Sequence, residues 1–446
     1  MRARTLARFV TTARFDDLPA DVVDKARLHL LDTLGAGLAG SGAVETQAVL
    51  GTLAGGPAVV WGGPVSLAPR DAAFANGVAA HAFELDDTGG CDHSGAVVVP
   101  AALAALAASA RPVLGRELLT AVVLGYEVAR RLLEACGGYE AHNGAGWHST
   151  GTCGTFGAAA ASARLLGLDT AACTHALGLA ASWSGGTWAF VHDGSMAKRL
   201  HAGRAAEGGL AAALLASVGV TGPGDVFADV WGGFLSTFAP GSADPDALTR
   251  ELGERWRIMR CSIKPYASCR GTHSAVDALR AIRAETGLTG EQILSVEVTA
   301  SPFLAAMCGG RDVAELPAAQ LSLPYALAAL LRFGDVGLAE FSHRRRADPT
   351  LSATMDRITV RGDPRLGAAS QPTVVVTEAT GRRHVRRVED PLGSPTNPLT
   401  EAEIVDKFRR HAERALTSGA ADSLARLVLT LEQLPEARAL LPALAG

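Results

Sequence analysis

Residues 196–218 read MAKRLHAGRAAEGGLAAALLASV. Ala, Leu and Gly dominate, apolar residues recur at helical spacing and strand-like alternation is absent, so the stretch predicts one long helix. Its small residues would let neighbouring helices approach closely. Lys198 and His201, three residues apart, fall on one face of that helix. The same texture extends outward over residues 1 to about 256. It predicts helices at Ala20–Leu38, Asp71–Phe83, Pro100–Ser109, Gly115–Cys136, Thr152–Leu166 and Thr170–Trp183, with breaks at Leu18-Pro19, Gly55-Gly56-Pro57, Arg111-Pro112, Gly137-Gly138 and Thr221-Gly222-Pro223.

After Lys264 the pattern changes. Ile293–Thr299, Met355–Val360, Val374–Thr377 and His384–Val388 are β-branched runs, interleaved with helix candidates Ser274–Glu285 and Leu323–Phe333. Glu378–Arg382 reads as a hairpin turn with Gly381 at a position requiring positive φ. Pro391–Pro398 reads as a loop, and Thr400–Arg414 and Ala421–Leu431 return to helical character. The expected fold is mainly α: a large all-α domain over 1–265, completed by 395–446, and a smaller α+β domain over 266–394.

The chain has 446 residues, 48% of them hydrophobic and 19% charged, which fits buried cores and excludes disorder. Lys plus Arg is 41 and Asp plus Glu is 45, a net charge of −4 without a basic tract, so nucleic acid is not an expected partner. The most apolar run, Ser94–Ala110, is short for a membrane span and contains Pro100, and is read as a buried helix. Arg8 and Arg14 interrupt the stretch a signal peptide would need, so the cytoplasm is the expected location. Seven cysteines are widely spaced without a Cys-x-x-Cys pair, and neither metal nor cofactor is expected.

Gly35-Ala36-Gly37-Leu38-Ala39-Gly40 has the letters of a dinucleotide fingerprint, yet it follows a helical pattern and no acid lies about 20 residues on. It is read as a packing seam. Chemistry is sought instead in four polar islands: His81 with Glu84-Leu85-Asp86-Asp87-Thr88 and Asp92-His93-Ser94; Gly146-Trp147-His148-Ser149-Thr150-Gly151; Lys198 to Gly203; and Lys264-Pro265-Tyr266 through His273. Acids and imidazoles so concentrated are costly in a core unless paired. Imidazole bases with several cations, and no metal or nucleotide motif, suit proton abstraction beside a carboxylate, with fixed positive charge stabilising an enediolate. Lys198 would sit in the first turn of its helix, where the helix dipole disfavours a cation, so a nearby anionic ligand is the expected compensation.

These islands, together with Leu31-Asp32-Thr33-Leu34-Gly35, Gly125-Tyr126-Glu127 and Asp277, resemble the MmgE/PrpD family, in order over most of the chain. The family includes 2-methylcitrate dehydratase, cis-aconitate decarboxylase and iminodisuccinate epimerase, all metal-independent. The resemblance implies a homodimer with the α+β domain as a lid over an active site between the two domains. It places His93, His148, Lys198, Lys264 and Tyr325 at catalytic positions, with Glu84, Thr88 and His273 binding substrate. Two features depart from the family's patterns: Glu84 stands where the decarboxylase pattern has Asp, and Gly89–Asp92 lacks the aromatic and the His that follow Thr in the decarboxylase and dehydratase branches.

The leading expectation is dehydration of a hydroxylated di- or tricarboxylate. His93 or His148 would take a proton α to a carboxylate, the other imidazole or Tyr325 would protonate the departing hydroxyl, and Lys198 and Lys264 would hold carboxylates and the enediolate charge. Decarboxylation or epimerisation through the same intermediate is the alternative, and a non-catalytic carboxylate-binding protein is the alternative of another class.

Overall fold

The computed structural model describes residues 2–446. The helix read from residues 196–218 spans Ala197–Ser217 and packs against the Pro69–His81, Gly95–Ala108, Gly154–Leu165 and Thr170–Ala180 helices. Where it crosses Pro69–His81, Gly203 meets Gly77. A Cβ on Gly77 would lie 2.7 Å from the Gly203 Cα, closer than side-chain atoms tolerate, so any larger residue would force the helices apart. That crossing brings His81 up against the face that carries Lys198. The Gly35–Gly40 run is the close of the Ala20–Gly40 helix, and its glycines are contact points. A Cβ on Gly37 would lie 2.3 Å from the Trp61 ring, and one on Gly40 would lie 2.0 Å from the Ala79 carbonyl oxygen.

The apolar run around Pro100 is a buried helix, Gly95–Ala108, with residues 96–106 almost entirely shielded. It begins five residues before the expected start and runs through Pro100. Packing on every side outweighs the one backbone hydrogen bond that proline forfeits. Among the described residues, no helix is long and apolar enough to cross a membrane.

A short hairpin pairs β1 (Gly55–Val59) with β2 (Ser66–Leu67), a feature the Gly-rich sequence there hid. Beyond residue 290 a four-stranded sheet has the order β4-β3-β5-β6, formed by β3 (Ile293–Ala300), β4 (Ile358–Gly362), β5 (Thr373–Glu378) and β6 (Arg383–Arg387). β3 runs parallel to β4, with Val296 opposite Ile358, and antiparallel to β5, with Val298 opposite Val374. The β5–β6 hairpin turns at Gly381, whose φ is +85°. Val296, Val298, Val374 and Val376 bury one face against Val276, Leu279, Leu327 and Leu330 of the Arg270–Thr286 and Leu323–Phe333 helices. β4 starts at Ile358 and not at Met355, because Asp348 caps a Pro349–Met355 helix by accepting from the Thr350 N–H at 2.8 Å.

Two further helices, Glu401–Ala412 and Ser418–Leu429, are followed by short 3-10 turns that reach Leu444. The first opens on a capping box: the Thr400 hydroxyl accepts from the Glu403 N–H at 3.3 Å and Glu403 accepts from the Thr400 N–H at 2.8 Å. Ile404, Phe408, Leu424 and Val428 pack into the same core as Leu30, Leu34 and Leu38. Lys407 reaches through that contact to bond Asp32 at 2.5 Å and the Leu85 carbonyl at 2.7 Å, which pins the loop following the Pro69–His81 helix.

Candidate active site

The Pro69–His81 helix ends at His81, and the chain crosses to the Gly95–Ala108 helix through a loop that contains the first polar island. Two non-glycine residues in this loop have positive φ, Glu84 at +54° and Asp92 at +102°. Such backbone costs on the order of 1–3 kcal/mol and persists only where the surroundings fix it. Here Asp87 does so: it accepts from the Gly95 N–H at 2.9 Å and the Tyr126 hydroxyl at 2.6 Å, and lies 2.8 Å from His29 Nδ1. Thr88 is held by a two-way backbone bridge to Ser262, which carries Lys264 alongside the loop.

Loop, helix and α+β domain meet around a cavity of ≈ 330 Å³, with Glu84, Thr88, Asp92 and His93 on one wall. Lys198 comes from the Ala197–Ser217 helix. Cys269, Arg270 and Gly271 come from the start of the Arg270–Thr286 helix, and Arg130 and Arg260 stand at the margin. The cavity is therefore rich in positive charge.

Glu84 is 1% exposed and anchors the cations. Its carboxylate is ion-paired with Lys198, lies 3.0 Å from Lys264 Nζ and 3.1 Å from an Arg199 guanidinium nitrogen. Burial would raise its pKa, but Lys198, Lys264 and Arg199 together hold it well below the usual carboxylate range. Burial alone would likewise weaken Lys264, but Glu84 and Asp86 push it up to about 12. The anion that compensates Lys198 in the first turn of its helix is thus a side chain of the protein, where the sequence suggested a ligand.

Asp86 performs the same service for imidazoles. Its Oδ2 lies 3.0 Å from both His81 Nδ1 and His93 Nδ1, and His93 Nδ1 also sits 3.0 Å from the Asp87 carbonyl. His93 therefore donates from Nδ1, which leaves Nε2 beside the cavity, 3.6 Å from Asp92. Burial opposes charge on His93, yet Asp92 and Asp86 outweigh it and raise its pKa. His148 behaves in the opposite way. It is fully buried behind His93, its Nδ1 is 3.0 Å from His201 Nδ1, and burial with Lys198 and His201 nearby holds it well below the ordinary imidazole value. The surroundings favour the charged form of one ring and the neutral form of its neighbour.

Of the residues singled out from the sequence, Glu84, Thr88, His93 and Lys198 line the cavity. His148 and Lys264 stand directly behind that wall. His273 and Tyr325 are elsewhere. His273 bonds the Ser268 carbonyl at 3.2 Å and packs edge-on against Tyr266. Tyr325 donates to the Glu340 carbonyl at 2.6 Å and stacks near Phe341 in the α+β core, so its hydroxyl is not available to the cavity. Its position follows from the Leu323–Phe333 helix, which turns its apolar stripe, Tyr325 included, towards the sheet.

The structure adds Asp86, Asp92, Arg199 and Arg270, all within the islands but not distinguished there, and Arg130 and Arg260, which lay outside them. Asp92 carries a signal of its own: an acid two residues beyond a Gly-Gly pair tolerates the left-handed conformation seen there.

These imidazoles set an acid limit on stability. His81 is pulled down to about 4, chiefly by burial, against an unfolded value near 6.5. The unfolded chain therefore takes up the proton first. The contribution is complete above pH ~6.5 and is lost as the pH falls towards 4; His148 and His201 act in the same direction, and the raised His93 acts against them. The expected result is a melting temperature at pH 5 below that at pH 7.5, with His81 alone contributing roughly 2 kcal/mol to the loss. Thermal unfolding at the two pH values checks this; equal stability would contradict the neutral assignment.

Comparison with known proteins gives one answer over the whole chain. Residues 4–245 match the MmgE/PrpD N-terminal domain and residues 266–433 the MmgE/PrpD C-terminal domain. The chain is 30% identical to the cis-aconitate decarboxylase-like protein oryM of Aspergillus oryzae, over 99% of this chain and 96% of that protein. It is 29% identical to the cis-aconitate decarboxylase of Homo sapiens, over 95% and 90%, and 29% identical to that of Aspergillus terreus, over 96% and 92%. With both domains matched in order, and a helical domain beside a smaller α+β one, the chain belongs to the MmgE/PrpD family.

Proposed function

We propose that the protein is a lyase that decarboxylates an unsaturated di- or tricarboxylate of the cis-aconitate type, using its own side chains as acid and electrostatic catalysts. The observation that carries this reading is His93, an imidazole whose charged form is favoured by Asp86 and Asp92 and whose Nε2 borders a cation-rich cavity. Decarboxylation asks for that form. The carbon–carbon bond to the departing carboxylate breaks, its electron pair forms a new carbon–carbon double bond, and the existing double bond shifts its pair onto the carboxylate conjugated with it, which becomes an extended enediolate protonated at the carbon α to that carboxylate. CO₂ leaves, and His93 Nε2–H supplies the proton that completes the product. Lys198, which lines the same cavity beside Glu84, stabilises the enediolate charge. The names of the relatives point the same way.

Dehydration of a hydroxylated carboxylate is the second reading. It is favoured by His148, a neutral imidazole whose buried Nε2 has no hydrogen-bond partner and lies 3.8 Å from Asp92, as a base would. Incubation of the purified protein with cis-aconitate, citrate, 2-methylcitrate and iminodisuccinate, with CO₂ and products measured, separates the readings. CO₂ release is the expected result. An unsaturated acid formed without CO₂ establishes dehydration, and tight binding without turnover of any substrate leaves a carboxylate-binding protein.

The carboxylate that does not react needs a partner, and Arg270 is the cation on offer. It lines the cavity and, among the described residues, has no hydrogen-bonded or ion-paired carboxylate, unlike Arg130, which is engaged by Glu134 at 3.0 Å. Arg270→Ala is expected to raise KM by about 10- to 100-fold, the worth of one charge-assisted hydrogen bond, with little change in melting temperature. Steady-state kinetics check it; an unchanged KM would remove Arg270 from the binding site.

A further inference from the structure

The spacing of His and Cys along the chain offers no metal motif, yet the fold gathers three imidazoles. His81 and His93 have ring centroids 4.3 Å apart, and each lies within 6.4 Å of His148. One ring nitrogen from each of the three lies within 4.8 Å of the others. Nδ1 of His81 and of His93 is already engaged by Asp86, and Nδ1 of His148 by His201. That leaves the Nε2 atoms, and those of His81 and His148 are fully buried without a hydrogen-bond partner. Asp92 Oδ2 stands 3.6 Å from His93 Nε2 and 3.8 Å from His148 Nε2, where a fourth ligand would come from.

We propose that His81, His93, His148 and Asp92 form a capture site for a divalent transition cation of the zinc class, and that its occupation inhibits the enzyme. Imidazole nitrogens and one carboxylate oxygen suit such an ion. The carboxylate of Asp86 on two of the rings is the outer hydrogen bond that orients histidine ligands and makes them more basic. Metal–nitrogen distances of about 2.0–2.1 Å require the rings to close inward, which rotation about their side-chain bonds supplies. Lys198 does not repel the ion fully, because Glu84 neutralises it. Inhibition rests on the role proposed above for His93, since a cation on Nε2 displaces the proton that this ring would deliver; binding does not rest on it.

The test uses Zn²⁺ and Co²⁺ with the purified full chain. Competition with a chromophoric chelator is expected to show one tight equivalent of Zn²⁺, and Co²⁺ to show the visible absorption of a four-coordinate ion. His81→Gln is expected to weaken binding by at least tenfold, and Asp86→Asn by about 10- to 100-fold through the outer hydrogen bonds, so the site is tested even if one variant does not fold. A second buried group, Cys136, His142 and Cys153, supplies the contrast. No binding by the wild type, or binding lost in Cys153→Ala but kept in both His81→Gln and Asp86→Asn, overturns the site. Turnover restored by chelator supports inhibition. Binding at the imidazoles with full turnover overturns the inhibition and, with it, proton delivery by His93.

Discussion

His93→Gln is expected to lower turnover by about 10²- to 10⁴-fold, the usual range for removing a positioned general acid, while the protein stays folded. Glutamine keeps a hydrogen-bonding amide near Asp86 and fills most of the ring's volume, but it cannot carry a titratable proton at the cavity. His93 is 4% exposed, and its neighbours His81 and His148 are held neutral by burial, so neither replaces it at working pH. Turnover and melting temperature of the variant, measured together on the substrate identified above, decide the matter. Wild-type turnover would remove His93 from the chemistry.

Glu84→Gln is expected to destabilise the fold by about 3–5 kcal/mol, because it leaves Lys198, Lys264 and Arg199 facing one another in a buried site without their counter-charge. The loss should exceed that of Glu84→Asp. Aspartate keeps the charge and accepts the left-handed backbone at φ +54° more readily than most residues, although its shorter side chain loosens the three contacts. Urea unfolding of both variants checks the order. A Glu84→Gln protein within about 1 kcal/mol of wild type would mean that the cations are solvated, contrary to the geometry described above.

The large helical region was legible because its signals are local and repeat: Ala-rich periodicity predicted the Gly115–Ala135 and Ala197–Ser217 helices almost to the residue. Pro100 misled for the same reason, since propensity is local and the packing that overrides it is not. In the sheet, Gly381 announced its hairpin, whereas the parallel pairing of β3 with β4 joins segments some 60 residues apart and leaves no mark in either. The site was legible as islands and not as roles. Glu84 looked like a ligand for substrate because its three cations come from residues 198, 199 and 264, which only the fold brings to it. Tyr325 sits in a motif that resembles the family's, but its hydroxyl is taken by the Glu340 carbonyl, a partner that sequence alone cannot supply.

Whether His93 acts as an acid is decided by the pH dependence of kcat/KM. A carboxylate-stabilised imidazolium predicts activity that is highest below the raised His93 pKa and falls on the alkaline side, with that limb moving to lower pH in Asp92→Asn, which removes one of the charges that hold the proton. Activity that instead rises with pH across the imidazole range, with a limb unmoved by Asp92→Asn, would show that the working group is an unprotonated base and that His93 does not deliver the proton.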